Sequence, residues 1–298
     1  VNVDGKLVTL VYGKVCAAHI DPVEKKPMFH FIPGTKAFSI ATAGCNLHCK
    51  FCQNWEISQA NPEDVENSDL PPENVVELAK RNGCESIAYT YTDPVIFYEY
   101  TYDTCKIAKQ EGIKNILVTA GFIQEKPLIK LMPYVDGANV DIKSFADKFY
   151  RDICSGRLEP VLRTVKMMRE AGVIVEVTNL LVPTLNDNDD DVKKLVDWMV
   201  NAAGPDVPLH FSRFFPLYKM RNLPPTPFET LNKFREVALN TGVKYVYIGN
   251  VANGDWENTY CAKCKKLLVK RIGYQVLEVN VEDSKCRFCG EKIYGFWG

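Results

Sequence analysis

Gly44-Cys45-Asn46-Leu47-His48-Cys49-Lys50-Phe51-Cys52-Gln53-Asn54 places three thiols within eight residues, spaced CxxxCxxC. Three thiolates can hold three irons of a cubane [4Fe-4S] cluster, where a fourth cysteine normally closes the coordination shell. The fourth iron would then be open to a substrate or cofactor. Two other readings use the same residues. They are ordinary cysteines buried as small hydrophobes, or part of a zinc knuckle with His48 as the nearest fourth ligand, since structural zinc takes four.

Outward from this loop, short apolar runs alternate with amphipathic helical patterns. The strand candidates are 38–42, 86–91, 116–119, 137–142, 174–182, 209–214 and 244–248. Between them lie helix candidates at 72–82, 95–111, 126–132, 160–171, 189–203 and 227–240. Such alternation argues for parallel strands with helical crossovers. Periodicity leaves both an open doubly wound sheet and a barrel standing. The cysteine loop follows the first strand, and in a β/α barrel the C-terminal strand ends carry the site.

Two smaller pieces flank this core of residues 36–256. Residues 1–35 contain a strand-like stretch, Lys6 to Tyr12, and a polar, proline-bearing segment from Asp21 to Pro27. They read as a lead-in packed on the core. Residues 257–298 carry Cys261, Cys264, Cys286 and Cys289 as two CxxC knuckles with a β-rich stretch between them. That spacing predicts a tetrahedral four-thiolate site. Sulfur ligands suit both zinc and iron. Structural zinc or a rubredoxin-like mononuclear iron is favoured over an auxiliary cluster.

The 298 residues can bury a full core, and the net charge of -1 demands neither a nucleic-acid nor a membrane partner. No apolar run approaches a membrane span. Seven of the eleven cysteines stand in metal-ligand spacings, which predicts a reducing, cytoplasmic setting. The other four, Cys16, Cys84, Cys105 and Cys154, are scattered and read as fillers. The chain opens at Val1 without a methionine, which suggests a fragment or a processed form.

The cysteine signature resembles that of the radical S-adenosylmethionine (SAM) superfamily, in which the amine and carboxylate of SAM chelate the open iron. The resemblance implies a partial (β/α)6 barrel and places Phe51, before the third cysteine, beside the adenine. On that footing the strand ends supply the other SAM contacts. Thr92 or Asp93 would accept a bond from the ammonium, although either can also cap the following helix. Gly121 would permit close backbone approach to a ligand. Asp141 and Lys143 share a strand face and would pair with each other and with the SAM carboxylate. Glu176 and Thr178 share a face of the fifth strand, which assigns Thr178 to the cofactor set. His210, with Ser212 on one face of the sixth, is the catalytic or substrate-site candidate.

The combination of Gly44 to Asn54, Tyr89 to Pro94, Asp141 to Lys143, Pro183 to Asp187, His210 to Pro216, Tyr247 to Asn250 and the terminal CxxC pair is similar to the radical SAM member of the AmmeMemoRadiSam system. That group is in turn similar to pyruvate formate-lyase activating enzymes. Its members commonly extend upstream of the position of Val1, with further cysteines. The superfamily's Gly-Gly-Glu amine-binding motif is here Thr92-Asp93-Pro94.

The resemblance implies reductive cleavage of SAM to methionine and a 5'-deoxyadenosyl radical, which abstracts hydrogen from a peptide or small-molecule substrate. It also implies a ferredoxin- or flavodoxin-like electron donor and a substrate protein or Memo-type partner. A rival from another class is a non-catalytic Fe-S electron-transfer or zinc-ribbon interaction protein, which has no need of an open iron.

Overall fold

Consecutive parallel strands joined by right-handed crossovers place every helix on one face of a sheet when strand order follows chain order. The structure, a computed structural model describing residues 1–251 and 254–298, has that order. Strands β1 (Lys14–Pro22), β2 (Lys36–Thr42), β3 (Ser86–Tyr89), β4 (Lys114–Thr119), β5 (Gly137–Asp141), β6 (Ile174–Leu181), β7 (Leu209–Arg213) and β8 (Val246–Gly249) lie side by side in sequence. From β2 to β8 all neighbours are parallel. There is no reversal point of the kind that defines a doubly wound sheet. The sheet is open, with β8 at one edge and the two-residue strand Ser68–Asp69 at the other.

Among the described residues, six helices of seven residues or more fill the crossovers: α1 (Pro72–Arg81), α2 (Tyr98–Gln110), α3 (Glu125–Leu131), α4 (Leu158–Glu170), α5 (Asp189–Trp198) and α6 (Phe228–Thr241). They cover the strand face that carries Phe38, Ile40, Ile87, Leu117, Val140, Val175, Val177, Phe211 and Ile248. Because side chains alternate across a strand, the intervening residues line the opposite face. There Ala37, Ala88 and Ile116 meet Val23, Met28, Phe31 and Ile32, which follow β1.

The lead-in differs from expectation. Between Lys6 and Tyr12 only Lys6–Leu7 forms a strand, paired with Asn2–Val3. The long strand is β1, antiparallel to β2. Its sequence holds alanines, an aspartate and a proline, all poor strand formers, so pairing with β2 rather than propensity makes it extended. Asp21, at its end, receives Lys26 Nζ at 2.6 Å and the Tyr91 hydroxyl.

After β8 a three-stranded antiparallel sheet forms from β9 (Thr259–Tyr260), β10 (Leu267–Ile272) and β11 (Gln275–Val279). It shares a core with Phe29, Tyr245 and Tyr247, so it is seated on the β8 edge and on the segment after β1. Fully buried Arg271 crosses this junction, donating to the Phe29 carbonyl at 2.7 Å and lying 3.6 Å from the equally buried Glu24.

A directed chain of hydrogen bonds runs through the same junction. Arginine can only donate and a carbonyl can only accept. Arg271 Nη1 therefore donates to Thr259 Oγ1 (2.8 Å), Thr259 to the Tyr247 hydroxyl (2.8 Å), Tyr247 to His30 Nε2 (2.7 Å), and His30 Nδ1–H to the Tyr294 carbonyl (2.7 Å). The two middle links take this direction when His30 is neutral, and burial lowers its pKa to about 4 from the usual 6.5.

The unfolded chain takes up this proton near pH 6.5 and the folded chain only near 4, so the unfolded state binds more protons in between. The stabilisation is complete above pH 6.5 and is lost as pH falls towards 4. Between pH 6.5 and 5, urea unfolding should show a loss of about 2 kcal/mol from this group. His30→Gln should remove that slope; an equal slope in the variant would assign it to another group.

Candidate active site and metal centre

Between β2 and a one-turn helix at Trp55–Ser58 the cysteine loop has no regular structure, so its backbone groups need other partners. It is tied on several sides. Gly44 N–H donates to the Ile57 carbonyl, His48 N–H to the Cys154 carbonyl at 2.9 Å, and Lys50 N–H to the Ile153 carbonyl at 3.0 Å. Asn46 Nδ2 reaches the Phe122 carbonyl after β4, and Asn54 Nδ2 the Tyr91 carbonyl after β3. Gly44 adopts φ +94°, in the left-handed range that glycine enters without steric cost. Loops after three neighbouring strands thereby fix the thiols at the C-terminal ends of the strands.

Cys49 is buried, while Cys45 and Cys52 are partly exposed. Burial, then the nearby Asp93 carboxylate, pushes the Cys45 thiol up to about 12. The Cys52 thiol lies 3.2 Å from Ser58 Oγ. Among the described residues these three thiols do not all lie within 4.8 Å of one another, which one small ion would require. His48 is exposed and completes no such group, so the zinc-knuckle arrangement finds no support. A donor set of three soft thiols, spread wider than one ion allows, fits a multinuclear iron-sulfur cluster.

The other strand ends converge here unequally. Lys143 Nζ lies 2.6 Å from Asp141 Oδ2 and 6.0 Å from the Phe51 ring centre. Burial opposes the ammonium charge, but Asp141 and the neighbouring Cys49 hold its pKa above that of ordinary lysine. Phe51 is buried and packs on Phe149. Asp93 is buried and already engaged: its carboxylate accepts from Ala120 N–H (2.7 Å), Val95 N–H (3.0 Å) and the Thr119 hydroxyl (3.0 Å). Thr92 Oγ1 donates to the Thr42 carbonyl.

Asp93 therefore ties the end of β3 to the end of β4. Asp93→Asn should lower the unfolding free energy of the metal-free chain by about 2 kcal/mol, because an amide NH2 would face donors. An unchanged urea midpoint would show that the carboxylate is no such tie.

Three residues occupy surroundings that the sequence did not indicate. Gly121 does not face open space for a ligand: a Cβ there would lie 2.8 Å from Val140 Cγ1, so packing against β5 and α4 explains the glycine. Thr178 is buried and donates to Asn139 Oδ1. His210 is 3% exposed, with Nε2 2.7 Å from Glu176, whose other oxygen accepts the His30 backbone N–H. Phe29 and Tyr247 pack against its ring. His210 thus belongs to the junction with the C-terminal sheet, with no open position for substrate.

Sequence reasoning missed Cys154. It ends a turn of π-helix, Tyr150–Cys154, and its thiol is the main influence that pushes the Cys49 thiol up. Nothing in the local pattern signals a contact across more than a hundred residues.

The four C-terminal thiols lie within 4.8 Å of one another. Cys261 and Cys289 are 3.7 Å apart, as are Cys264 and Cys286. A tetrahedral ion with metal–sulfur bonds of about 2.3 Å requires sulfurs about 3.8 Å apart. The four thiols therefore fit a single metal ion. The backbone N–H of Lys266 is the main cause that draws Cys264 down to about 7.

Comparisons with known proteins agree with this geometry. The radical SAM superfamily profile matches residues 39–199. The uncharacterized protein MJ0808 of Methanocaldococcus jannaschii is 48% identical over 294 residues, 98% of this chain and 87% of that protein. The pyruvate formate-lyase 1-activating enzyme of Escherichia coli K12 is 22% identical over 220 residues, 68% of this chain and 89% of the enzyme. A radical SAM methyltransferase from Sphaerobacter thermophilus shares the fold with a TM-score of 0.58 at 15% identity, over 75% of this chain and 68% of that one.

Proposed function

Because this chain belongs to the radical SAM superfamily, we propose that Cys45, Cys49 and Cys52 hold a [4Fe-4S] cluster whose open iron takes SAM. The observation that carries this reading is the wide three-thiol loop, fixed at the strand ends beside Phe51 and the Lys143–Asp141 pair. Bound there, cluster and SAM supply one-electron cleavage to methionine and a 5'-deoxyadenosyl radical that abstracts hydrogen from substrate.

The chain's own residues bind, orient and shield. Lys143, kept cationic by Asp141, is suited to a carboxylate such as that of SAM. Phe51, Phe149 and Tyr150 are buried around it and keep out water, as reactive intermediates require. Thr92 retains hydroxyl lone pairs for the SAM ammonium. Thr178 and Gly121 act at one remove, through Asn139 and Val140.

Residues 36–256 form the catalytic body in this reading, shaped as a partial (β/α)6 barrel. Residues 1–35 are a lead-in, and residues 257–298 a structural appendix on one zinc or iron ion. The substrate is a peptide loop, as for activases of glycyl radical enzymes, or a small molecule or Memo-type partner of an AmmeMemoRadiSam set. Relatives named as pyruvate formate-lyase activating enzymes support the activase side. The electron donor is of the ferredoxin or flavodoxin kind. No helix among the described residues is long and apolar enough to cross a membrane, and thiols poised for metal suit the cytoplasm.

The test is anaerobic reconstitution of the full chain with iron and sulfide, reduction with dithionite, addition of SAM and measurement of 5'-deoxyadenosine. Product above the unreconstituted control supports the reading. None from a fully loaded cluster overturns it in favour of an electron carrier.

A further inference from the structure

We propose that Cys49 and Cys154 form a reversible disulfide in the cluster-free chain, so that oxidation withdraws one of the three loop thiols until a dithiol restores it. The pairing is built into the backbone. The residues on either side of Cys49 donate their N–H groups to the carbonyls of Ile153 and Cys154, at 3.0 and 2.9 Å. Two such bonds hold these stretches of backbone side by side, as a disulfide requires of residues whose Cα atoms must come within about 4.4–6.8 Å. The Cys154 thiol is also the main influence that pushes the Cys49 thiol up, and both residues are buried.

Cys154 is held in that place by unusual local structure. It closes the π-helical turn, and Ser155 beyond it adopts φ +60°, a conformation that costs a non-glycine residue energy. Single π turns concentrate at functional positions. Tyr150, which starts the turn, accepts the Lys143 N–H on its hydroxyl at 2.9 Å. The other loop thiols face different partners: Cys45 accepts from Leu47 N–H, and Cys52 lies against Ser58.

With hydrogen peroxide as oxidant the step balances. One thiolate attacks peroxide, giving a sulfenic acid and, after protonation, water. The second thiol displaces hydroxide from that sulfur, which leaves as a second water, and the S–S bond forms. Two electrons pass from the sulfur pair to peroxide. Exchange with an external dithiol reverses the bond.

The disulfide itself is independent of the proposed cluster; only its consequence for loading rests on Cys49 being a ligand. The full chain, stripped of metal under argon, is treated with stoichiometric hydrogen peroxide and mapped by non-reducing peptide mass spectrometry. The expected result is a Cys49–Cys154 cross-linked pair that disappears with dithiothreitol. After the same treatment, cluster loading without added thiol should fall at least fivefold in wild type and stay unchanged in Cys154→Ser. Cross-links confined to Cys45, Cys49 and Cys52 would overturn the pairing. So would a Cys154→Ser chain, folded by circular dichroism, that never takes up a cluster, because Cys154 would then be a ligand or a support. A cross-link that leaves loading intact would overturn the switch and would also count against Cys49 as a ligand.

Discussion

Cys45→Ala is expected to reduce 5'-deoxyadenosine formation by at least a thousandfold while leaving the fold intact. The size follows from coordination. With three protein thiolates and one open iron there is no spare ligand, so losing one removes a corner of the cluster rather than weakening a contact. The fold should survive because Cys45 is only partly buried and its one backbone partner is Leu47 N–H, at 3.5 Å. Removing a small, partly buried side chain costs about 1 kcal/mol. Iron content per chain, the EPR signal of the reduced cluster and the urea midpoint separate the outcomes. Loss of product and cluster at an unchanged midpoint is the prediction. Undiminished product would place the reacting centre elsewhere.

Two parts of the molecule were legible from sequence for the same physical reason: they depend on local order. Alternating apolar runs and amphipathic stretches gave the seven parallel strands and the six longer crossover helices within a few residues, because β/α units pair sequential neighbours. The four terminal thiols were legible because each knuckle is a local turn. The end of β1 was not. Asp21 and Lys26 are both at most 5% exposed, yet in sequence they belong to a polar, proline-bearing stretch that reads as solvated surface. Their burial depends on Tyr91, which arrives from the β3 loop.

His210 shows a finer limit. Alternation puts it on one strand face with Ser212, but gives no sign of the segment that covers that face. The segment after β1 closes over it through Phe29 and His30, with Tyr247 of β8 beside the ring. Asp93 and Gly121 have neighbours that the local pattern also does not reveal. A carboxylate before a helix and a glycine after a strand both suggest a ligand, whereas here tertiary neighbours at Ala120 and Val140 take up their special properties. Cys154 is the opposite case, an unremarkable residue in sequence that contacts come to explain.

Cys261→Ala, or stripping the ion that the four thiols would hold, should unfold the C-terminal sheet without melting the parallel one. Cys261 is wholly buried among Tyr245, Tyr247, Leu268 and Cys286. A piece of about forty residues has too little core to fold unaided, so its structure depends on the metal and on its seat against Phe29. Unseating it leaves Glu24 buried without Arg271, at a cost of about 3–5 kcal/mol; Glu24 relieves this by taking up a proton or moving to water. Amide exchange should therefore accelerate across Leu267–Val279 and spread to β8 and the segment after β1, while β2 to β5 stay protected. 5'-Deoxyadenosine should remain detectable, because the cysteine loop is anchored to Phe122, Ile153 and Cys154 and makes none of these contacts. If the parallel sheet stays protected and SAM cleavage is nonetheless abolished, the four-thiol centre passes electrons rather than holding the fold together.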